Sequence, residues 1–363
     1  MYREDLVHIW VSLLGRPVNK IAKLLKKSYG SLYNAYCVKR GEDITCEISK
    51  NKLLCSRILD ESIKDNALRI YERVLEKGVK VTHVYKKDYP KDLKSIFDPP
   101  FVLYYYGKLP DENMTLLSVV GSRKCSAYGR KVTYDLAFNV AKRGVGIVSG
   151  MARGIDSRAH VGCLDAKGYT IAVLGGGPDN IYPYENEVLY YKIKENGLIL
   201  SEYPPGTMPL KHHFPARNRI IAGLGKGTLV CEAGVKSGAM ITVNFAINEG
   251  RDIYSVPGNI DSGYSDGCNG LIKSGAMIVT SYMDVLEGLN VIESKRQAGS
   301  VGWLNGLDRE EAMVAECIYN GVSPKEISLK TGLDSAKIVA IITILEVKGV
   351  IGRDNTGNFK VII

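Results

Sequence analysis

The chain has 363 residues, a length that suits two or three domains of ordinary size. With 45% hydrophobic and 24% charged residues its composition is globular, and no apolar run reaches the roughly 20 residues that a membrane-spanning helix needs. The net charge of +9 favours polyanionic partners such as nucleic acids without selecting among them.

The N-terminus and the cysteines bear on location and metal binding. The N-terminus lacks the charged-then-apolar order of a signal peptide, and the eight cysteines include no C-x-x-C pair, which favours free thiols. We therefore expect a cytoplasmic protein without membrane contact. Cys37, Cys46 and Cys55 are equally spaced, but no histidine lies near them and structural zinc uses close pairs, so no metal site is predicted.

Residues 1–78 are predicted to form a small helical domain. Apolar residues recur at helical spacing, as at Ile21, Leu24 and Leu25, and turn signals separate the segments. The arrangement resembles a SAM or helix-hairpin-helix domain. The Gly-x-Gly hairpin of a working helix-hairpin-helix is missing, which favours a docking or spacer role over DNA contact.

Between residues 79 and 289, strand-like apolar runs alternate with helical segments. A strand at 101–106 precedes a series that is predicted at 116–120, 146–149, 170–174, 198–201, 228–232, 252–256 and 277–280. This βαβ rhythm predicts an α/β fold with a Rossmann-like, doubly wound and mostly parallel sheet. Glycines follow most of these strands, at Gly121, Gly150, Gly175, Gly234 and Gly258. Because parallel strands end at one edge, these turns should line a shared crevice.

The first of these turns, Gly121-Ser122-Arg123-Lys124, is the leading candidate for an anion site. It joins a strand to a helix, where backbone N–H groups and the helix dipole favour phosphate, and it adds a hydroxyl and two cations. The alternative is that Gly121 only makes a tight turn and that the cations are solvated.

A second basic segment, between Lys211 and Arg219, precedes another helix of the same region. It combines Lys211 and Phe214 with Arg217 and Arg219, and single-stranded nucleic acid is held by such cations and aromatic rings. Alone, Phe214 could be core and the arginines surface residues. Two basic clusters on one crevice favour binding.

Several enzyme classes lack their motifs here. The first turn has no G-x-G-x-x-G, and no Walker A loop occurs in the sequence. A G-x-S-x-G string occurs at 263–267, but it does not directly follow a predicted strand, as a nucleophile elbow requires. The five histidines have no evident nucleophile partner. We predict no catalytic residue and no cofactor.

The C-terminal region is predicted to hold a linker over 290–308 and a winged-helix domain over 309–363. Three helical patterns are followed by two strand-like pieces around Asp354-Asn355-Thr356-Gly357. The predicted recognition helix carries Lys337 and little other charge, which favours protein contact over DNA reading.

Taken together, the motifs of residues 79–289 resemble the DNA-processing protein A family, DprA/Smf. The resemblance rests on several segments in the right order: Val120-Gly121-Ser122-Arg123, the stretch 149–156 with Ala159-His160, Tyr182-Pro183 with Asn186, 201–206, 214–223 and Val256-Pro257-Gly258.

The resemblance implies a homodimer that binds and protects single-stranded DNA without cutting it and helps to load a RecA-type recombinase during natural transformation. Carried over by motif, the DNA-binding residues would be Gly121, Ser122 and Arg123 on one wall, Lys211, Phe214, Arg217 and Asn218 on the other, and Ser237 and Gly238 at the start of the next helix.

Two other functions stay open at this point. Gly227-Thr228 and Glu232 resemble the Gly-Gly-x-Gly-Thr and Glu of nucleotide phosphoribohydrolases, although no Pro-Gly-Gly precedes Gly227. The winged-helix domain could instead make the protein a regulator that reads duplex DNA.

Overall fold

The computed structural model describes residues 2–39, 46–291, 307–319, 322, 324–353 and 359–361. The chain divides into two compact units, Met1–Val291 and Ile292–Ile363. Among the described helices none has the length and apolar character needed to cross a membrane. Seven cysteines are free thiols. The side chain of Cys46 lies outside the described part, so the predicted absence of a metal at Cys37, Cys46 and Cys55 stays a prediction.

The nine strands of the first unit form a single sheet. They are β1 (Lys80–His83), β2 (Val102–Gly107), β3 (Leu116–Val120), β4 (Gly146–Ser149), β5 (Thr170–Val173), β6 (Leu198–Ser201), β7 (Gly227–Val230), β8 (Asp252–Ser255) and β9 (Met277–Ile278). Their order is β1-β2-β6-β5-β4-β3-β7-β8-β9, and the pairs are parallel except β1 with β2 and β2 with β6. The predicted Rossmann-like, mostly parallel sheet is confirmed. The strands β3 and β7 are parallel neighbours, and the order in which strands are added to the sheet reverses between them, which is where such sheets bind ligands.

The helices of the first unit lie before and between these strands. They are α1 (Tyr2–Leu13), α2 (Val18–Tyr29), α3 (Leu32–Cys37), α4 (Cys46–Ser49), α5 (Lys52–Ile58), α6 (Glu61–Glu76), α7 (Lys91–Lys94), α8 (Ala127–Lys142), α9 (Ile155–Asp165), α10 (Glu187–Asn196), α11 (His213–Leu224), α12 (Ala239–Asn248), α13 (Asp266–Lys273) and α14 (Tyr282–Gly288).

Both faces of the sheet are covered, as the side-chain alternation along β2 shows. Val102, Tyr104 and Tyr106 belong to one hydrophobic cluster, and Leu103 and Tyr105 belong to the cluster on the opposite face. Successive side chains of a strand point to opposite faces, so two buried faces produce the continuous apolar runs of the sequence.

The N-terminal helices contribute to the first of these clusters. Ile9 and Trp10 of α1 are fully buried and lie in the same cluster as Val102 and Tyr104 of β2. Each large apolar side chain removed from water in this way contributes about 1.5–3 kcal/mol. The N-terminal helices and the sheet therefore share one core. The predicted domain boundary between residues 78 and 79 stays a prediction.

The second unit contains α15 (Arg309–Tyr319), α16 (Pro324–Thr331), α17 (Ser335–Val347), β10 (Ile351–Arg353) and β11 (Phe359–Val361), and the two strands pair antiparallel. Its core includes Val314, Ile327 and Leu345. These elements have the predicted order, and the winged-helix assignment stays a prediction. Residues 292–306 of the predicted linker and 354–358 of the hairpin lie outside the described part. Lys337 Nζ lies 2.6 Å from Glu310 Oε1, so the cation of the predicted recognition helix is paired within its own unit.

Candidate functional site

A cavity of about 710 Å³ opens at the carboxyl ends of the parallel strands, where the strand order reverses. It is formed by the segments that follow β3, β4, β5, β6 and β7. Its lining includes all of the predicted binding residues, namely Gly121, Ser122, Arg123, Lys211, Phe214, Arg217, Asn218, Ser237 and Gly238. The fold therefore brings together residues that are more than 100 positions apart in sequence.

The turn after β3 is held rigidly by the neighbouring strand and helix. A Cβ at Gly121 would lie 2.5 Å from a side-chain carbon of Ile155, so this position requires glycine. The N–H of Ser122 donates to the backbone oxygen of Glu232 at 2.7 Å, and the Ser122 oxygen accepts from the N–H of Ile155 at 3.2 Å. Gly154 makes this approach possible, because its φ is +81° and a Cβ there would lie 2.4 Å from the Ser122 oxygen. These contacts fix the backbone that carries Arg123.

The start of α8 is in contact with a carboxylate of the chain itself. The helix begins at Ala127, and its N-cap residue Ser126 donates to the Glu232 carboxylate from both its N–H, at 2.7 Å, and its hydroxyl, at 2.5 Å. Glu232 is 2% exposed. The chain's own carboxylate therefore lies at the positive end of this helix and reduces the attraction of the α8 dipole for phosphate. The predicted phosphate site at this turn stays a prediction. Arg123 and Lys124 remain as exposed cations of the turn.

The opposite wall presents an aromatic ring at the start of α11. Phe214 is half-buried and packs on Gly175, where a Cβ would lie 2.9 Å from the ring. The guanidinium carbon of Arg123 lies 5.5 Å from the Phe214 ring centroid, which is within cation–π range. The centroid of the Tyr182 ring lies 5.4 Å from that of the Phe214 ring, at an interplanar angle of 45°. Arg123, Phe214 and Tyr182 thus form a row, which we call the stacking row.

Tyr182 was not among the predicted binding residues. This residue is 47% exposed and lines the cavity. The sequence could have indicated Tyr182 as a binding residue, because it follows the glycines at the end of β5, on the edge of the sheet that faces the crevice. Lys211, on the same wall as Phe214, is exposed.

Arg217 lines the cavity but its polar atoms are engaged within the fold. It is 4% exposed, and its guanidinium donates to the backbone oxygens of Gly150, at 2.9 Å, and Val173. Burial lowers the pKa of Arg217 to about 10, an effect that nearby Asp156 opposes, so the side chain is still charged at pH 7. Burial likewise raises the pKa of Asp156, and the charge of Arg217 opposes that shift. Through its two backbone hydrogen bonds, Arg217 connects the ends of β4 and β5.

Arg219 is also buried, in a separate set of ion pairs. It is 8% exposed and lies 2.7 Å from Glu202 and 3.3 Å from Asp98. On the second wall, Lys211 and Phe214 are therefore accessible to a ligand, whereas Arg217 and Arg219 stabilise the surrounding fold. The predicted role of Arg217 in binding DNA stays a prediction.

The start of α12 contrasts with that of α8. Gly238 stands at its N-cap and supplies no capping side chain, and a Cβ added there would meet no described atom within 4 Å. The Ser237 hydroxyl accepts from the N–H of Ala239 at 3.3 Å, a long hydrogen bond. The N–H groups of Met240 and Ile241 donate to the backbone oxygens of Ser237 and Gly238 at 3.0 and 3.2 Å. No acidic residue lies in the first turn of α12, which lines the cavity, so its dipole can still attract an anion.

The residues that resembled a phosphoribohydrolase motif lie at opposite ends of β7. Gly227 begins the strand and Thr228 is buried within it, beside Ser118 of β3. Glu232 follows the other end and bonds to Ser126. Gly227 and Thr228 therefore lie away from the crevice.

Comparison with known proteins identifies relatives of this chain. The family model of DNA recombination-mediator protein A matches residues 80–290. The DNA processing protein DprA of Streptococcus pneumoniae is 50% identical over 198 residues, which cover 54% of this chain and 70% of that protein. Its counterpart in Bacillus subtilis is 41% identical over 227 residues, which cover 61% and 75%.

Two solved structures are similar to this fold. The X-ray structure of the Streptococcus pneumoniae DprA matches with a TM-score of 0.59 and 42% identity, covering 65% of this chain and 81% of that one. The Helicobacter pylori DNA processing protein A matches with a TM-score of 0.53 and 31% identity, covering 58% and 95%; its structure is described for a single-stranded DNA binding mode.

Proposed function

The chain belongs to the DNA recombination-mediator protein A family, and we propose that its crevice binds single-stranded DNA. The stacking row of Arg123, Phe214 and Tyr182 carries the proposal. Aromatic and guanidinium planes accept any base, and each stacked base contributes about 1–3 kcal/mol. Binding would therefore depend little on sequence.

Phosphate groups would be held beside the stacking row. The exposed cations Arg123, Lys124 and Lys211 line the same cavity, and the start of α12 adds the Ser237 hydroxyl and the positive end of the helix dipole at Gly238. A strand that crosses the cavity could place its phosphates on these groups and its bases on the rings.

The same geometry favours single strands over duplexes. The rings of Phe214 and Tyr182 lie 5.4 Å apart within the cavity. In a duplex the bases are already paired and stacked, so their faces cannot reach such rings without local melting. Duplex DNA would contact the exposed cations alone and bind more weakly.

In a recombination mediator, this binding would protect incoming single-stranded DNA in the cytoplasm during natural transformation and help to load a RecA-type recombinase on it. The family assignment supports this role. The test is strand exchange by a RecA-type recombinase on DNA that is precoated with a single-strand-binding protein. The exchange reaction should be faster when the chain is added. An unchanged rate would oppose the mediator role.

Homodimer formation is also proposed. The edge strand β9 supports it, because Met277 and Ile278 are 44% and 52% exposed and an edge strand has unpaired backbone groups. Light scattering should give twice the 39.9 kDa of one chain. Ile278→Lys should shift the mass toward the monomer, and a wild-type monomer would refute the dimer.

We expect no catalytic step, since Glu232 is engaged by Ser126 and distant along β7 from Gly227. Incubation with nucleoside monophosphates should release no free base. Turnover that is lost in Glu232→Gln would establish the enzyme instead.

The central experiment compares DNA forms on the full chain. Fluorescence anisotropy with a labelled single-stranded oligonucleotide of mixed sequence, the same oligonucleotide annealed to its complement, and a homopolymer should give tight binding to both single strands and weaker binding to the duplex. Equal affinity for single strand and duplex would refute the stacking proposal. Strong discrimination between the two single strands would refute sequence-independent binding.

A further inference from the structure

A cluster of potential metal ligands lies far from the crevice, where α1 meets β1. Glu4 and His8 are four residues apart on α1 and so share one helix face, and His83 is the last residue of β1. One donor atom from each of these side chains lies within 4.8 Å of the other two. The function proposed above uses none of them.

The hydrogen bond of His8 leaves one ring nitrogen available. His8 Nδ1 lies 2.8 Å from the backbone oxygen of Glu4. A carbonyl oxygen can only accept, so Nδ1 carries the proton and Nε2 carries the lone pair. Nε2 is buried and has no hydrogen-bond partner among the described residues. Histidines that ligate metals usually donate their other N–H to a carbonyl or carboxylate in this way.

His83 is still less satisfied. Its side chain is completely buried, and neither ring nitrogen has a hydrogen-bond partner within the described part of the chain. Its Nε2 lies 3.5 Å from Glu4 Oε1. Two ligands of a tetrahedral zinc ion, each bound at about 2.0–2.1 Å, are separated by about 3.4 Å. Buried polar atoms without hydrogen-bond partners are rare, and a bound ion is one explanation for them.

We propose that Glu4, His8 and His83 bind a divalent transition metal, Zn²⁺, with a fourth position open to solvent. The side chain of Glu4 is 60% exposed, which gives an ion access to the two buried imidazoles. The bound metal connects α1 to β1 and so fastens the N-terminal helices to the sheet. The sequence predicted no metal site, because His83 is far from Glu4 and His8 along the chain.

The ligand set selects the metal class. Two imidazoles and one carboxylate suit zinc and its neighbours, whereas magnesium and calcium prefer oxygen ligands alone. Because His8 already donates from Nδ1 to the Glu4 oxygen, its Nε2 can bind an ion without losing a proton. The ring of His83 stacks on that of His8 at 3.5 Å and must turn for both lone pairs to meet one ion. No described hydrogen bond opposes that turn.

Two lysines lie close enough to oppose a dication, and both are engaged. Lys86 Nζ lies 2.8 Å from Asp5 Oδ1, and Lys26 Nζ lies 3.2 Å above the Tyr85 ring. They lower the affinity of the site without blocking it.

The test uses the full chain, stripped of metal with a chelator and dialysed. Titration with ZnCl₂ against a chromophoric zinc chelator should show one ion per chain, and zinc should raise the melting temperature. Glu4→Gln, an exposed substitution that leaves the fold intact, should weaken binding about 10-fold or more, and His83→Gln should exceed the 10–100-fold that loss of a second-shell partner costs.

The matched control is His212→Gln. His212 is exposed and its ring centroid lies 4.5 Å from that of His213, so this second pair of neighbouring imidazoles serves as the comparison. Unchanged zinc affinity in this variant supports the proposal. Absence of binding by the wild type, or binding that His212→Gln abolishes and Glu4→Gln does not affect, overturns it.

Discussion

Arg123 and Arg217 line the same cavity, yet they differ in what surrounds them. Arg123 is exposed on a rigid turn and points its guanidinium at the face of Phe214. Arg217 is 4% exposed, lies near Asp156 and donates to backbone oxygens at the ends of two strands. A cation in a binding motif can therefore either contact the ligand or stabilise the backbone around the site, and its burial distinguishes the two roles.

The largest effect that tests this comparison is on stability. Arg217→Met removes the cation near buried Asp156 and the donor to the Gly150 and Val173 oxygens, and we expect the free energy of unfolding to fall by about 3–5 kcal/mol in urea denaturation. Adding Asp156→Asn should recover much of the loss, because no buried charge then remains unpaired. An Arg217→Met protein of normal stability that no longer binds DNA would place Arg217 among the ligand contacts.

The next effect separates stacking from charge. Phe214→Ala should weaken single-stranded DNA binding by about 1–3 kcal/mol, and the slope of log K against log salt should stay unchanged because no phosphate contact is lost. Phe214→Tyr keeps a ring and should bind nearly as the wild type. A reduced salt slope in Phe214→Ala would mean that the ring only positions the cations.

Arg123→Ala should give the converse result. Loss of one phosphate contact reduces the salt slope by about 0.7 and the affinity roughly fourfold at 0.15 M salt. Lys211→Ala should behave similarly. The matched control is Lys142→Ala, at the far end of α8, which should change neither quantity. Equal slopes in all three variants and the wild type would refute the assignment of Arg123 and Lys211.

The smallest effect concerns the two helix starts. Ser237→Asp places a carboxylate beside the first turn of α12, as Glu232 already does for α8. We expect this helix to gain about 0.3–1 kcal/mol and DNA affinity to fall about two- to fivefold, because the new carboxylate competes with phosphate. Calorimetry and anisotropy on the same protein check both. Unchanged affinity would remove α12 from the site.

The strands were the most predictable part of the fold. Gly146–Ser149 and Leu198–Ser201 match their predicted bounds, because strands buried on both faces are short apolar runs between turn signals. The sequence did not predict helix α13, because Gly267 and Gly270 are unfavourable residues inside a helix. Gly267 is needed there because a Cβ would lie 2.5 Å from the oxygen of Ala233.

The site was predictable as a set of residues but not as a set of roles. Glycines at strand ends placed Gly121 and Phe214 on one crevice. The contact of Glu232 with Ser126 could not be predicted, because it joins residues 106 positions apart whose proximity depends on strand order. The burial of Arg217 was missed for the same reason: its partners Gly150 and Val173 end different strands.

The shared core of the N-terminal helices and β2 bears on how the protein can evolve. The family model starts at residue 80, so the match does not include the preceding helices. Their removal would expose Val102, Tyr104 and Tyr106 on one face of the sheet. A relative without these helices must therefore cover or replace that face. Substitutions in α1 and in β2 should consequently change together between relatives.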